Sequence, residues 1–282
     1  MRLDSHQHFW RYSKEEYPWI KPRWPIRRDF WPADLKRSLD AAQIDGCIAV
    51  QARQSLEENR FLLELADEHQ FIKGVVGWVD LRSRHVDEQL AEFAKHPKFV
   101  GVRHVAQDEP DDNFLIGREF MHGIGRLSDF KLTYDLLIYP RQLPAAIKLV
   151  TKFPEQPFVL DHIAKPDIKH GAISPWREQM LELGRHPNVL CKLSGMVTEA
   201  DWDEWRKPDF RPYLDVALAA FGTERLMYGS DWPVCLLAAT YGQVHGLVRD
   251  NLTSLPDTAK RRIMGGNAER FYLQRRSHRQ TG

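Results

Sequence analysis

The sequence predicts a (β/α)8 barrel, the TIM-barrel form of an α/β protein, on three observations. Eight short, almost continuously apolar runs recur along the chain. Stretches with helical spacing separate several of them. Polar and titratable residues collect at the C-terminal ends of the runs. Continuous apolar strands alternating with helices imply a parallel sheet covered on both faces. Eight such strands imply a closed barrel rather than an open doubly wound sheet. No Gly-x-Gly-x-x-Gly follows a strand, which disfavours a dinucleotide fold. At 282 residues the chain suits one barrel, so 1–282 is expected to form a single domain.

The first strand begins at Leu3 and leads through Asp4-Ser5-His6-Gln7-His8-Phe9-Trp10. Side chains of a strand alternate between faces, so Asp4, His6 and His8 are expected on one side. Paired imidazoles there suit metal coordination or hydrogen bonding to a reacting group, although a lone His-x-His is equally compatible with two partly exposed histidines. Between Trp10 and Trp31 lie Trp19, Trp24 and three prolines with little helical periodicity. A loop of this length, 10–32, reads as a lid or binding loop over the barrel mouth, or as an apolar flap packed there for stability.

The second strand is Asp45–Gln51, and Asn59–Gln70 follows with Phe61, Leu62, Leu65 and Ala66 on one helical side. The third strand, Ile72–Asp80, precedes a helix from about Val86 to Lys95. The remaining strands are Phe99–His104, Leu132–Ile138, Phe158–His162, Val189–Ser194 and Leu226–Asp231. The basic stretch Arg270–Arg279 reads as a short solvated end.

Composition narrows the function. Forty basic residues against 39 acidic ones leave no electrostatic support for a nucleic-acid or membrane partner. Cys47, Cys191 and Cys235 are scattered and form no Cys-x-x-Cys pair, as in a reduced, cytoplasmic protein. No apolar run approaches ~20 residues, and polar Asp4 and the histidines stand where a signal peptide would need an apolar core.

Read together, the strand ends offer His6 and His8; Gln51 and Arg53; Asp80; Arg103 and His104; Tyr134 and Asp135; Asp161 and His162; Lys192 and Ser194; and Asp231. Alternation sorts them further. Phe158, Leu160 and His162 share a face, which sends His162 inward if the large apolar pair fills the barrel. Cys47, Ala49, Gln51 and Arg53 share another. So do Met227, Gly229 and Asp231, with the glycine leaving room beneath the carboxylate. Pattern does not choose between Arg103 and His104.

His-x-His on the first strand, Leu160-Asp161-His162-Ile163-Ala164-Lys165-Pro166 on the sixth, and Tyr228-Gly229-Ser230-Asp231-Trp232-Pro233 on the eighth resemble the amidohydrolase superfamily. The likeness runs from Asp4 to Tyr272 and is nearest to the amidohydrolase-related lactonase branch, of the L-fuconolactonase and L-rhamnonolactonase type. The resemblance implies that His6, His8, His162 and Asp231 are metal-site or water-binding residues, with Asp231 the general acid/base. No lysine that could bridge two metals stands on the fourth strand and no histidine on the fifth, so a two-metal site is not expected. It implies either one divalent ion, zinc by its ligands, or a metal-independent lactonase.

The implied activity is hydrolysis of a small-molecule sugar-acid lactone, with Asp231 activating water and His6, His8, His162 and Arg103 or His104 facing the carbonyl. Trp24, Trp31 and Trp232 are candidate platforms for a sugar ring, and Gln51, Arg53 and Lys192 candidate polar contacts, each with a packing or solvated-rim alternative. Rival readings are a lactonase for an aromatic-derived dicarboxylate, which would want more arginines, a zinc-dependent decarboxylase of an aromatic acid, and a non-catalytic binding barrel.

Overall fold

Parallel neighbours need a crossover between each pair of strands, and the chain supplies one every time. The computed structural model describes residues 1–274. Its strands are β1 (Leu3–Gln7), β2 (Gly46–Val50), β3 (Ile72–Gly77), β4 (Phe99–His104), β5 (Thr133–Leu136), β6 (Phe158–Leu160), β7 (Val189–Leu193) and β8 (Leu226–Tyr228). They form one eight-stranded sheet in sequential order. The main crossover helices are α1 (Pro32–Ala41), α2 (Leu56–Glu68), α3 (Val86–Phe93), α4 (Arg118–Arg126), α5 (Leu143–Lys152), α6 (Trp176–Leu183) and α7 (Lys207–Phe221), with α8 (Tyr241–Asn251) and α9 (Asp257–Arg261) after β8. Among the described residues no helix is long and apolar enough to cross a membrane.

Backbone at the upper rim closes the seam between β8 and β1. The His8 amide donates to the Trp232 carbonyl at 2.7 Å and the Asp231 amide to the His6 carbonyl at 2.8 Å. The same bonds that shut the barrel therefore bring residues 6 and 231 together.

Two apolar shells flank the sheet. Leu3, Ile48, Val50, Val76, Val100, Val159, Leu190 and Met227 pack inside the barrel, with Phe271 and Tyr272 from the C-terminal segment. Cys47, Ala49, Phe99, Tyr134, Phe158, Leu160 and Leu193 pack outside, against the helices. Arg270–Gln274 is thus part of a helical plug rather than a solvated end, because its aromatic pair fills the barrel interior. The rest of that basic stretch, 275–279, lies outside the described residues.

Several boundaries differ from the sequence reading. Helix α2 starts at Leu56 rather than Asn59, because the Ser55 side chain accepts from the Glu57 amide and caps the first turn. Strands β3, β6 and β8 stop before the predicted Asp80, His162 and Asp231, and at two of these ends the backbone turns left-handed, at His162 and Asp231.

The loop after β1 folds on its own aromatics. Trp10 and Phe30 exchange backbone hydrogen bonds at 3.2 and 2.9 Å, and Tyr17, Ile20 and Ile26 are buried. It is tied to the β2–α2 turn by an ion pair between Glu16 and Arg53 and by the Tyr17 hydroxyl, 3.4 Å from Glu58 Oε1. Burial pushes the Glu58 carboxyl from 4.5 up to about 7, against the pull of the Arg53 and Ala52 amides. A carboxyl with a raised folded-state value contributes stability in acid that is lost as pH rises through that value. Between pH 4.5 and about 7 this amounts to about 3 kcal/mol. Glu58→Gln should remove the decline. Melting curves at about pH 5 and about pH 8 should show the variant gaining on the wild type by that order; an unchanged gap would refute it.

Candidate active site

Above the inner apolar layer lies a layer of charge. Strand β5 contributes no residue to the inner apolar cluster, and its Asp135 is fully buried, as are Asp161 and Lys192. Such groups are tolerated only when paired. Lys192 Nζ lies 2.6 Å from Asp135 Oδ2 and 2.9 Å from Asp161 Oδ1, and Arg103 Nη1 donates to Asp161 Oδ2 at 3.1 Å. Burial opposes the charge on Asp161, yet Lys192 and His6 outweigh it and hold its carboxyl well below the usual range.

His6 sits on this layer. Its Nδ1 is 3.3 Å from Asp161 Oδ1 and 3.2 Å from Lys192 Nζ, while its Nε2 is 3.2 Å from Arg103 Nη1. Burial, with the two cations beside it, holds the ring well below its ordinary value even though Asp161 pulls upward. Gly229 makes room for it: a Cβ there would lie 2.8 Å from His6 Cβ and 3.1 Å from Ser194 Cβ.

At the top, Asp231 Oδ1 is faced by three imidazoles, with His8 Nε2 at 3.3 Å and His6 Nε2 and His162 Nε2 both at 3.8 Å. His8 Nδ1 lies 2.8 Å from the Val50 carbonyl and Nε2 3.3 Å from Asp231 Oδ1, so the ring meets an acceptor at each nitrogen. His162 Nδ1 is held by Ser194 Oγ at 2.8 Å. Burial holds His162 well below its ordinary value, against the attraction of Asp231. Asp231 itself, although buried, is held below the usual carboxylate range by His162, His8 and Lys165.

Unusual backbone builds the site. His162, Ile163, Ala164 and Lys165 all have positive φ, at 54°, 48°, 59° and 50°, and Asp231 has 57°. Each such non-glycine residue costs roughly 1–2 kcal/mol, so a run of four persists only where the surroundings hold it. Trp176 Nε1 donates to the Ile163 carbonyl at 2.8 Å, and Gly195, itself at φ 63°, leaves the space where a Cβ would lie 2.4 Å from His162 Nδ1.

Two sequence expectations fail in the structure. Asp4 does not share a side with the histidines. Between Asp4 and Gln7, β1 takes three steps against two from Cys47 to Ala49 on β2; this bulge inverts the alternation, and Asp4 instead accepts from the Ser230 amide and the Tyr241 hydroxyl. His162 does not point inward by alternating with Phe158 and Leu160, which face the helices. The inner residue of β6 is Val159, and His162 enters through the left-handed turn. On β2 the shared face of Cys47 and Ala49 is the outer one.

The structure also separates Arg103 from His104. Strand β4 spends two residues, Phe99 to Gly101, against one step of β3, and Arg103 ends inside. His104 stacks on Phe114 at 4.8 Å between ring centroids and lies 2.7 Å from Glu109, outside the barrel. Gln51 is buried and its backbone carbonyl and Nε2 brace Arg103. Arg53 is spent on the loop. Lys192 lies beneath His6 with no exposure. Trp232 is packed edge-on against Phe9 and Phe30, and Trp31 rests on Phe61 of α2. Trp24 meets Trp202 of the loop after β7, at 5.7 Å. Asp135 and Asp161 entered the sequence reading only as strand-end residues. The signal for Asp161 was Val159: small β-branched residues mark the narrow inner face, and Asp161 stands two further on.

The donor set fits a cation. His6, His8 and Asp231 present ligand atoms within 4.8 Å of one another, and two or three imidazoles with a carboxylate are a zinc-type set. Arg103 competes for His6 Nε2.

The sequence and the fold both have known relatives. The sequence matches the amidohydrolase family over residues 3–273. It is 43% identical over 284 residues to an L-fucono-1,5-lactonase of Burkholderia multivorans, covering 96% of each chain. It is 37% identical to an L-fucono-1,5-lactonase of Burkholderia ambifaria, covering 96% of this chain and 95% of that one. A crystal structure of a B. multivorans amidohydrolase with bound zinc superposes with a TM-score of 0.93 at 42% identity, over 96% of this chain and 99% of that one. Matched over nearly its whole length by the family, the chain belongs to the amidohydrolase family.

Proposed function

We propose that the protein hydrolyses a sugar-acid lactone of the L-fucono-1,5-lactone type, with Asp231 as general base. The observation that carries the reading is the Asp231 carboxylate, ionised at neutral pH and faced by three imidazole nitrogens; the two lactonase relatives support the substrate class. Asp231 takes a proton from water as its oxygen adds to the lactone carbonyl carbon. The ring C–O bond then breaks, and the leaving oxygen takes the proton back from Asp231, giving the open hydroxy acid. Hydrogen-bond donors aimed at the developing oxyanion contribute most where water is excluded, and Arg103, beside His6 Nε2 at 3.2 Å, is the cationic donor next to the imidazoles. A divalent ion held by His6, His8 and Asp231, with His162 beside it, would supply Lewis-acid polarisation of the carbonyl.

The rival readings gain no comparable support. A dicarboxylate needs free arginines, whereas Arg53 and Arg103 are committed to Glu16 and Asp161. Proton release from L-fucono-1,5-lactone, L-rhamnonolactone and 2-pyrone-4,6-dicarboxylate, with and without chelator, tests the proposal. Turnover of the first two is expected. Turnover of the dicarboxylate alone, or carbon dioxide release from an aromatic acid, would overturn it.

Gly229→Ala should push His6 off its present position, because the added Cβ meets His6 Cβ at 2.8 Å. A displacement approaching 1 Å can cost on the order of 10²-fold, so kcat/KM on the lactone should fall by about that factor.

A further inference from the structure

The charged layer does not end at Lys192. Tyr272, from the C-terminal segment that enters the barrel at the opposite end from the imidazoles, donates its hydroxyl to Asp135 Oδ2 at 2.8 Å. The same oxygen accepts from Lys192 Nζ, which also reaches His6 Nδ1. Tyr272 is 1% exposed, and Asp135 and Lys192 are wholly enclosed. A continuous polar column thus runs from the C-terminal plug to the imidazole, through an interior otherwise lined by apolar side chains.

The last link of the column has a chemical consequence. An ammonium carries three hydrogens, and Lys192 faces three acceptors: Asp135 Oδ2, Asp161 Oδ1 and His6 Nδ1. If the ammonium donates to Nδ1, the proton of neutral His6 sits on Nε2. If the ring instead donates from Nδ1 to Asp161, Nε2 keeps its lone pair toward Asp231 and Arg103. Arg103, which only donates, lies 3.2 Å from Nε2 and favours the second state, in which Lys192 must turn its hydrogens from Nδ1 toward the carboxylates, and Asp135 holds it there. Asp135 Oδ1 has no hydrogen-bond partner, so this carboxylate is oriented through Oδ2 alone, by Lys192 from one side and Tyr272 from the other.

We propose that Tyr272 is a positioning residue for the active site: by holding Asp135 it fixes Lys192, and through Lys192 the placement of the His6 ring. The kinetic part rests on the lactonase reading above; the placement of the ring does not. Partners that orient a reacting or metal-binding histidine typically cost 10- to 100-fold when removed.

Tyr272→Phe deletes only the hydroxyl and keeps the ring that fills the barrel. Its kcat on L-fucono-1,5-lactone should fall by about 10- to 100-fold with KM within about twofold, and the nitrogen-15 resonances of His6 should shift in histidine-labelled protein. Should Tyr272→Phe fail to fold, Asp135→Asn is read by the same two measurements. A lowered melting temperature with wild-type kcat and unmoved His6 resonances would reduce Tyr272 to packing and overturn the proposal. So would a lower kcat with unmoved resonances. If neither wild type nor variant opens any aldonolactone while the His6 resonances still move, the lactonase reading fails and the positioning role stands.

Discussion

Asp231→Asn should lower kcat on a sugar-acid lactone by about 10²- to 10⁴-fold, the range a positioned general base supplies, while leaving the fold intact. The amide is isosteric with the carboxylate and can still pack among the rings. It cannot accept the proton of water. The backbone that carries residue 231 is held independently of its side chain, by its amide on the His6 carbonyl at 2.8 Å and by its own carbonyl on the Cys235 amide at 2.8 Å. Asparagine also tolerates the left-handed backbone found here better than most residues. Melting temperature and kcat measured side by side check the point. Near-normal turnover in a well-folded variant would remove Asp231 from its role.

Lys192→Met should be the most damaging substitution for stability outside the apolar shells. Methionine matches the lysine stem in length, so the loss isolates the charge. Two carboxylates, Asp135 and Asp161, would remain fully buried with their shared ammonium gone. Breaking a buried ion pair by removing one partner typically costs about 3–5 kcal/mol, whereas removing the charges together can be nearly neutral. Adding Asp135→Asn to Lys192→Met should therefore recover part of the loss. Urea denaturation of the two single variants and the double variant forms a thermodynamic cycle. Additive losses would show that Lys192 and Asp135 do not stabilise one another.

The alternation of strands and helices was legible because it depends on local periodicity alone. Apolar runs of strand length and apolar stripes of helix spacing are properties of neighbouring residues, and they located all eight strands to within a few residues of their observed ends. His6, His8, His162 and Asp231 were legible for another reason. Strand-end position made them candidates and the family resemblance singled them out from the other strand-end residues; the three histidines lie 3.3 to 3.8 Å from Asp231.

The facing of individual side chains was not legible. One extra residue in β1 and another in β4 turn Asp4 and His104 outward and Arg103 inward, and no pattern within a strand reveals a bulge that its neighbour's register imposes. Local reading also treated Lys192 as a rim contact and 270–274 as a solvated end. Both judgements assumed that a charge or a chain end seeks water. In the folded protein the C-terminal turn plugs the barrel, Tyr272 and two aspartates surround the ammonium, and burial becomes tolerable because the partners arrive from strands β5 and β6 and from the C-terminus. Residue order therefore sufficed for the architecture, and with the family resemblance for the four groups at its mouth. The buried charge network beneath them exists only through contacts between segments up to 137 residues apart, and such pairings carry no trace in local pattern.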